Sequence, residues 1–144
     1  MHFMIIRKAD AETEAAVMPS TDLIEQMTAY NEQLSAAGIL RGGEGLHPSA
    51  KGAKIKFSGG KPTIVDGPFA ESKELIAGFT LIEVGSYEEA LEWVKQWPPL
   101  DGHGNVELEL RQVFAAEDFG DAFTPELRER EDAMRMTTES RSKG

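Results

Sequence analysis

The chain has 144 residues, a formal net charge of −10 and no cysteine. This length suits one domain with its own core. The lack of cysteine excludes disulfides, cysteine-bound metals and thiol nucleophiles. The acidic balance argues against nucleic acids and anionic membranes as partners. No apolar run reaches the ~18 residues of a membrane span, and the first residues lack the order of a signal peptide, so we expect a cytoplasmic protein.

The first part of the chain predicts a strand, a helix and a second strand. Residues 3–6 are apolar on both faces, which is typical of a strand in mid-sheet. The Ala-rich segment 9–17 is expected to be a loop or a frayed turn. A helix capped by Ser20 or Thr21 follows, and Gly38 suits its left-handed C-terminal cap. The second strand then runs into a glycine-rich stretch.

A β-hairpin and a turn are predicted in the middle of the chain. Residues 53–57 and 63–65 are expected as strands, joined by Gly59-Gly60, a dipeptide typical of tight hairpins. The segment 66–69, which we call the DGPF turn, follows directly. Its Gly67 is expected to take a positive φ, since glycine adopts that conformation at little cost.

A strand, a helix and a further strand are predicted next. Residues 79–84 are strand-like, and Ser86 and Glu89 have the spacing of a capping box. The helix is expected to stop before Pro98-Pro99. Residues 106–110 alternate between apolar and charged side chains, which predicts a strand with one wet face.

The chain is expected to divide into a domain over residues 1–116 and an arm over residues 117–144. Thr124 followed by Pro125 predicts the start of a short helix that ends near Met136. We expect the aromatic residues of the arm to dock on the domain or on a partner subunit, with a loose end beyond it.

The order of elements, β-α-β-hairpin-β-α-β, predicts an α+β fold. It matches a ferredoxin-like split βαβ antiparallel sheet with an inserted hairpin. Two helices can cover only one face of such a sheet, although the first strand is apolar on both faces. The uncovered face therefore predicts a homodimer formed through the sheet.

Two segments resemble the DGPF subgroup of the YCII-related family. They are Gly-Glu-Gly-Leu-His-Pro at 43–48, which we call the GEGLHP loop, and Asp-Gly-Pro-Phe-Ala-Glu-Ser-Lys-Glu at 66–74. The similarity extends over about residues 3–114, with Ser72 where the family usually has Thr. It implies a dimeric α+β barrel with two sheets packed face to face. The wider group contains lactone isomerases, dehydrochlorinases and cofactor-free oxygenases, as well as ligand-sensing domains. The resemblance also implies a His–Asp pair as the active site.

His47 and Asp66 are the candidate catalytic residues. An imidazole transfers protons near neutral pH, and a carboxylate can orient it or act as a base. The structural alternatives are that His47 caps its turn and that Asp66 is an ordinary turn residue before glycine. His2, at the start of a strand, and His103, in a Gly-His-Gly loop, are weaker candidates.

Further side chains are candidates for substrate binding. Arg41 offers a planar fork for an anion, and Phe69 an apolar plug. Glu71 and Lys73 follow the DGPF turn, where the alternative is a solvated face with weak ion pairs. No metal or other cofactor is expected, because three scattered histidines lack zinc spacing and the glycine-rich stretch lacks the lysine of a phosphate loop.

Two functions remain open at this point. The first is a cofactor-independent enzyme for a small molecule, using His47 and Asp66 for isomerisation, elimination or lactone chemistry. The second is a non-catalytic module that binds a small ligand or a regulatory partner. A motif that serves only folding and dimer contact is the third and simplest interpretation.

Overall fold

A computed structural model describes residues 1–71 and 74–142 of the chain. It divides into two compact units, Met1–Val113 and Phe114–Gly144. In chain order the helices and strands are β1 (His2–Lys8), α1 (Ala11–Glu14), α2 (Thr21–Ala36), β2 (Leu40–Gly45), β3 (Ala53–Ser58), β4 (Lys61–Asp66), β5 (Ile76–Glu83), α3 (Tyr87–Val94), β6 (Leu108–Gln112) and α4 (Pro125–Ser142). Short 3-10 turns cover Ser49–Lys51, Asp101–Gly104 and Ala116–Ala122.

The first unit is built on a four-stranded antiparallel sheet with the order β2-β5-β1-β6. β1 lies between β5 and β6, which confirms the expectation that the doubly apolar first strand lies in mid-sheet. Its register places Phe3 beside Ile82 and Ile5 beside Thr80. The protein is therefore an α+β molecule whose sheet is assembled from distant parts of the chain.

One face of the sheet carries the core and the helices. Phe3 and Ile5 are 1% and 0% exposed and pack with Tyr30 and Leu34 of α2 and Ala90 of α3. The Tyr30 hydroxyl also donates to the carbonyl of Trp93 (2.7 Å), which ties α2 to α3. Burial raises the pKa of Tyr30 to about 12, because the phenolate would lose its hydration.

The opposite face of the sheet is apolar but only half-buried. Because side chains alternate along a strand, Met4 and Ile6 of β1 point away from the core. They pair with Leu81 and Phe79 of β5, respectively. We call these four side chains the outer sheet patch. None of them belongs to the core cluster that the described residues of the sheet form with α2 and α3.

The helix ends follow the predicted caps. The Ser20 hydroxyl accepts from the N–H of Leu23 (3.1 Å), and Gly38 has φ of 76°. The Ser86 hydroxyl accepts from the N–H of Glu89 (3.1 Å), whose carboxylate accepts from the N–H of Gly85 (2.9 Å). Both helix starts were predictable because caps are local interactions within one turn.

The segment 9–17 differs from the prediction, since residues 11–14 form one helical turn, α1. The carboxylate of Asp10 accepts from the N–H of Thr13, and the Thr13 hydroxyl accepts from the N–H of Asp10, both at 2.8 Å. This reciprocal cap, rather than an apolar stripe, holds the turn, which explains why hydrophobic periodicity failed to indicate it.

The predicted hairpin forms a separate two-stranded sheet of β3 and β4. Gly59 and Gly60 have φ of 57° and 80°, the pair of positive angles that a type I′ turn requires. Asp66 is the last residue of β4 and pairs with Ala53. The DGPF turn therefore begins at the base of the hairpin.

The second unit contains an aromatic cluster and a helix. The Phe119 ring lies 5.0 Å from that of Phe114 and 5.7 Å from that of Phe123, measured between centroids. The Thr124 hydroxyl accepts from the N–H of Leu127 (3.3 Å) at the start of α4, as the Thr-Pro pair predicted. The helix runs to Ser142, past the expected end near Met136. No helix in the described ranges is long and apolar enough to cross a membrane.

Candidate functional site

The GEGLHP loop and the DGPF turn meet at one serine. The N–H of Phe69 donates to the hydroxyl of Ser49 (3.1 Å), two residues after His47. The N–H of Gly67 donates to the carbonyl of Gly52 (2.9 Å). The structure thus brings the segments of the two predicted catalytic residues against each other, although they are far apart in sequence.

Gly67 is needed for a different reason from the one predicted. Its φ is not positive, unlike that of Gly59 or Gly60. Instead, a Cβ at this position would overlap the carbonyl group of Ser49. Only glycine permits this close approach of two backbones, so the residue fixes the contact between the loop and the turn.

The same serine is held by α1. The Ser49 hydroxyl donates to Glu14 Oε2 (2.5 Å), and its N–H donates to Glu14 Oε1 (3.0 Å). Bonds to a charged carboxylate are among the stronger hydrogen bonds. We call this meeting of α1, the GEGLHP loop and the DGPF turn the Ser49 junction.

His47 and Asp66 lie on the joined segments but are not themselves paired. Both side chains are exposed. Within residues 1–71 and 74–142, neither side chain makes a hydrogen bond or an ion pair. Their arrangement leaves both groups free to contact a ligand, and places them on neighbouring segments rather than on a preformed dyad.

Arg41 is occupied at the edge of the sheet. Its guanidinium contacts the carboxylate of Glu83 (Nη2 to Oε2, 2.8 Å) and the carbonyl oxygens of Gly38 and Leu40 (3.0 Å each). The hydrogen bond from Arg41 lowers the pKa of Glu83. A ligand anion would have to displace this surface pair.

The other predicted substrate contacts lie around the DGPF turn. Phe69 is half-buried, and the ammonium of Lys54 lies 4.6 Å from the centre of its ring, a cation–π contact. Glu71 is exposed. Lys73 lies outside the described residues.

A cavity of about 760 Å³ lies between α2 and the end of the sheet formed by β2 and β5. Leu23 and Met27 of α2 form an apolar wall, and Gly43 and Thr80 face them from the sheet. The segment around α1 and the turn at 101–104 complete it. Its lining does not include the predicted site residues that the structure describes, namely Arg41, His47, Asp66, Phe69 and Glu71.

A buried ion pair forms part of the cavity wall. Arg7 and Asp101 are each 8% exposed, and they form a two-pronged pair through Nε to Oδ2 (3.1 Å) and Nη2 to Oδ1 (2.8 Å). Nη1 of Arg7 donates to Asp10 (3.1 Å) and to the carbonyl of Lys8 (2.7 Å). The hydrogen bonds to Asp101 outweigh desolvation and raise the pKa of Arg7. A buried charge persists only when it is paired in this way.

The carboxylate of Asp101 also receives the indole N–H of Trp97 (2.8 Å). Burial alone would raise the pKa of Asp101, but the bonds from Arg7 and Trp97 outweigh it, and the pKa lies below its ordinary value. Burial likewise opposes, without overcoming, the hydrogen bonds from Thr13 and Arg7 that lower the pKa of Asp10. Both acids are therefore held ionised.

A histidine–carboxylate pair lies at the same cavity. Nε2 of His103 is 2.9 Å from Oε2 of Glu12, with side-chain exposures of 78% and 54%. Both residues line the cavity. From the sequence, His103 is a weak candidate for a catalytic residue, and Glu12 is not indicated. Arg7 is not indicated either; its signal was a charge at the inward position that follows Phe3 and Ile5 in the alternation of β1.

No group of three or more histidine, aspartate or glutamate side chains able to hold a metal ion occurs in the part of the chain that the structure describes.

Comparisons with known proteins concern the first unit above all. A family model described as the YCII-related domain matches residues 1–112. A curated relative, "Uncharacterized protein R00369" of Rhizobium meliloti (strain 1021), is 34% identical over 73 residues, which is 51% of this chain and 59% of the relative. The matched part thus spans about three-fifths of that relative's length.

Among solved structures, a similar chain is the 5-chloro-2-hydroxyhydroquinone dehydrochlorinase (TftG) from Burkholderia phenoliruptrix AC1100, in complex with 2,5-dihydroxybenzoquinone. It is 19% identical, with a TM-score of 0.43, and the match covers 79% of this chain and 94% of that one. The family match over residues 1–112 is the decisive finding: this chain belongs to the YCII-related family.

Proposed function

We propose that the protein is a cofactor-independent enzyme of the DGPF subgroup that moves a proton on a small molecule. The observation that carries this proposal is the Ser49 junction, because it brings the loop of His47 against the turn of Asp66. An unpaired imidazole and an unpaired carboxylate, both used in general acid–base catalysis, are then exposed on neighbouring segments. Isomerisation, elimination and lactone chemistry need no more than this.

The roles of the two groups follow from their chemistry. His47 takes or gives the proton, because imidazole is the side chain best suited to both roles in acid–base catalysis. Asp66 orients the imidazole or acts as the second base once a substrate draws the segments together, because catalytic contacts often tighten only in the complex. Phe69, Arg41, Glu71 and Lys73 are the proposed substrate contacts, and no cofactor takes part.

The working unit of this proposal is a cytoplasmic homodimer with a ferredoxin-like protomer. The outer sheet patch supports it, since four half-buried apolar side chains form one continuous face. A second copy of the same face would cover it with the symmetry typical of dimers. Two sheets packed in this way form a dimeric α+β barrel.

A second candidate function is a module that binds a small ligand without transforming it. The cavity beside α2 favours this alternative, because it has the volume for a small organic molecule while His47 and Asp66 do not line it. Retained binding with no proton transfer would identify this second function.

The test uses α-angelica lactone, a neutral lactone whose α-CH2 protons are readily removed, in D2O. Proton NMR follows deuterium uptake and migration of the double bond. The full chain should accelerate both above the buffer rate, and His47→Gln and Asp66→Asn should lower the rate about 100-fold or more. His2→Gln is the control, because His2, whose Nε2 lies 3.5 Å from the carboxylate of Glu83, is itself neither a proposed proton-transfer group nor a proposed substrate contact. Full activity in the His47 variant would contradict the assignment.

A further inference from the structure

The pair formed by His103 and Glu12 has the chemistry of an acid–base group. An ionised carboxylate can only accept a hydrogen bond, so at 2.9 Å from Glu12 the Nε2 of His103 must carry the proton. The neutral ring then presents a bare Nδ1, for which the described residues provide no partner. A carboxylate that fixes the tautomer of an imidazole is the arrangement that prepares a general base.

The buried ion pair anchors the turn that carries His103. Asp101, two residues before His103, accepts hydrogen bonds from Arg7 of β1 and from Trp97 in the turn that follows α3. Gly102 and His103 both have positive φ, 59° and 55°. This conformation is unfavourable for most residues, although histidine and asparagine adopt it more readily. Surrounding contacts must maintain it, as at other sites where a side chain is held in place for function.

We infer that His103 is a catalytic residue for a ligand bound in the α2 cavity, with Glu12 as its positioning residue. The inference rests on the proposed function for its class of reaction, proton transfer on a small molecule. It assigns that reaction a second group, located at the cavity rather than at the Ser49 junction. α1 connects the two places, since Glu12 binds His103 and Glu14 binds Ser49.

The cavity also limits the class of ligand. Among the described lining residues, Arg7 carries the one guanidinium, and four of the five N–H bonds of this group already donate hydrogen bonds. The carboxylates of the described lining come from Asp10, Glu12, Glu44 and Asp101. An anionic substrate would find little to pair with, whereas Leu23 and Met27 favour an apolar body. The ligand is therefore a neutral organic molecule with an acidic C–H or O–H bond.

The proton transfer balances without a co-reactant. Nδ1 of His103 takes a proton from the α-carbon of the lactone. The electron pair of the broken C–H bond moves into the adjacent carbonyl group, which gives an enolate. The imidazolium is stabilised by the carboxylate of Glu12. The same proton, or one exchanged with solvent, returns to the γ-carbon as the double bond shifts and the carbonyl reforms.

The experiment compares His103→Asn and Glu12→Ala with the wild-type full chain in the lactone assay in D2O. Asparagine is chosen because it tolerates the positive φ at this position. We expect kcat to fall about 100-fold or more in His103→Asn, with a smaller fall in Glu12→Ala and little change in KM. His2→Gln serves again as the control.

A second readout is the ring ¹⁵N spectrum of His103, which reports its tautomer. Wild-type protein should show the proton on Nε2, and Glu12→Ala should give a mixture of tautomers. An unchanged tautomer would overturn the role of Glu12.

The outcomes separate the two proposals. A full rate in His103→Asn with a loss in His47→Gln overturns this inference and leaves the proposed pair standing. The reverse result supports the inference and removes His47. A wild-type rate no higher than that of buffer overturns both.

Discussion

Replacing Asp101 by alanine should strip the buried guanidinium of Arg7 of its main partner. Arg7 is 8% exposed, so water cannot replace the carboxylate easily. The substitution removes two of the four hydrogen bonds of Arg7 and the shorter of its two ion pairs. Asp10 remains as the one carboxylate partner of Arg7 among the described residues, through a single hydrogen bond. Removing one member of a buried pair costs about 3–5 kcal/mol, because the other charge stays buried without compensation.

The assay is urea unfolding and thermal melting at one fixed protein concentration, since dimer formation would make the midpoint concentration-dependent. At roughly 3 °C for each kcal/mol in a chain of this size, the melting temperature should fall by about 10 °C or more. The matched control is Glu83→Ala, which breaks the exposed Arg41–Glu83 pair at 2.8 Å. Exposed pairs contribute little to stability, so this variant should melt close to wild type.

A double variant isolates the interaction from the loss of packing. Arg7→Met combined with Asp101→Leu removes both charges and keeps apolar volume. Its loss of unfolding free energy should be smaller than the sum of the losses in Arg7→Met alone and Asp101→Leu alone. This difference is the sign of direct coupling between the two residues. Additive effects, or a cost of Asp101→Ala below about 1 kcal/mol, would refute the claim that the pair is buried and interdependent.

Three further changes have defined outcomes. Folding lowers the pKa values of Asp10 and Asp101, so their ionised carboxylates stabilise the fold above the unfolded pKa near 3.9. This stabilisation is lost as the pH falls through the folded pKa. The melting temperature of Asp101→Asn should therefore fall less on acidification than that of the wild type. Gly67→Ala should melt well below wild type, while Gly45→Ala, whose Cβ meets no atom within 4 Å, should not. Ile6→Glu, in the outer sheet patch, should convert the proposed dimer to monomer in light scattering; an unchanged dimer would exclude this face.

Local features of the fold were predictable from the sequence, and long-range contacts were not. Ser20, Ser86 and the Gly59-Gly60 turn act within a few residues, so their chemistry can be identified from spacing alone. The pairing of Arg7 with Asp101 joins residues 94 positions apart. Nothing in a single sequence indicates which acid meets a buried arginine.

The candidate site shows the same limit. The motif residues indicated that the GEGLHP loop and the DGPF turn matter, and the contact of Phe69 with Ser49 joins them. The cavity could not be foreseen, because its walls come from α1, α2, the sheet and the turn at 101–104. α1 itself depends on side-chain bonds between Asp10 and Thr13, which leave no apolar pattern.

The most direct single measurement is a crystal structure of the full chain grown with α-angelica lactone. The bound lactone should lie with its α-carbon within about 3–3.5 Å of a histidine nitrogen. Contact with His103 would support the inference drawn from the cavity, and contact with His47 the pair at the Ser49 junction. A lactone seated away from both histidines, or no bound lactone at a saturating concentration, would contradict the proposal that this protein transfers a proton on a small neutral molecule.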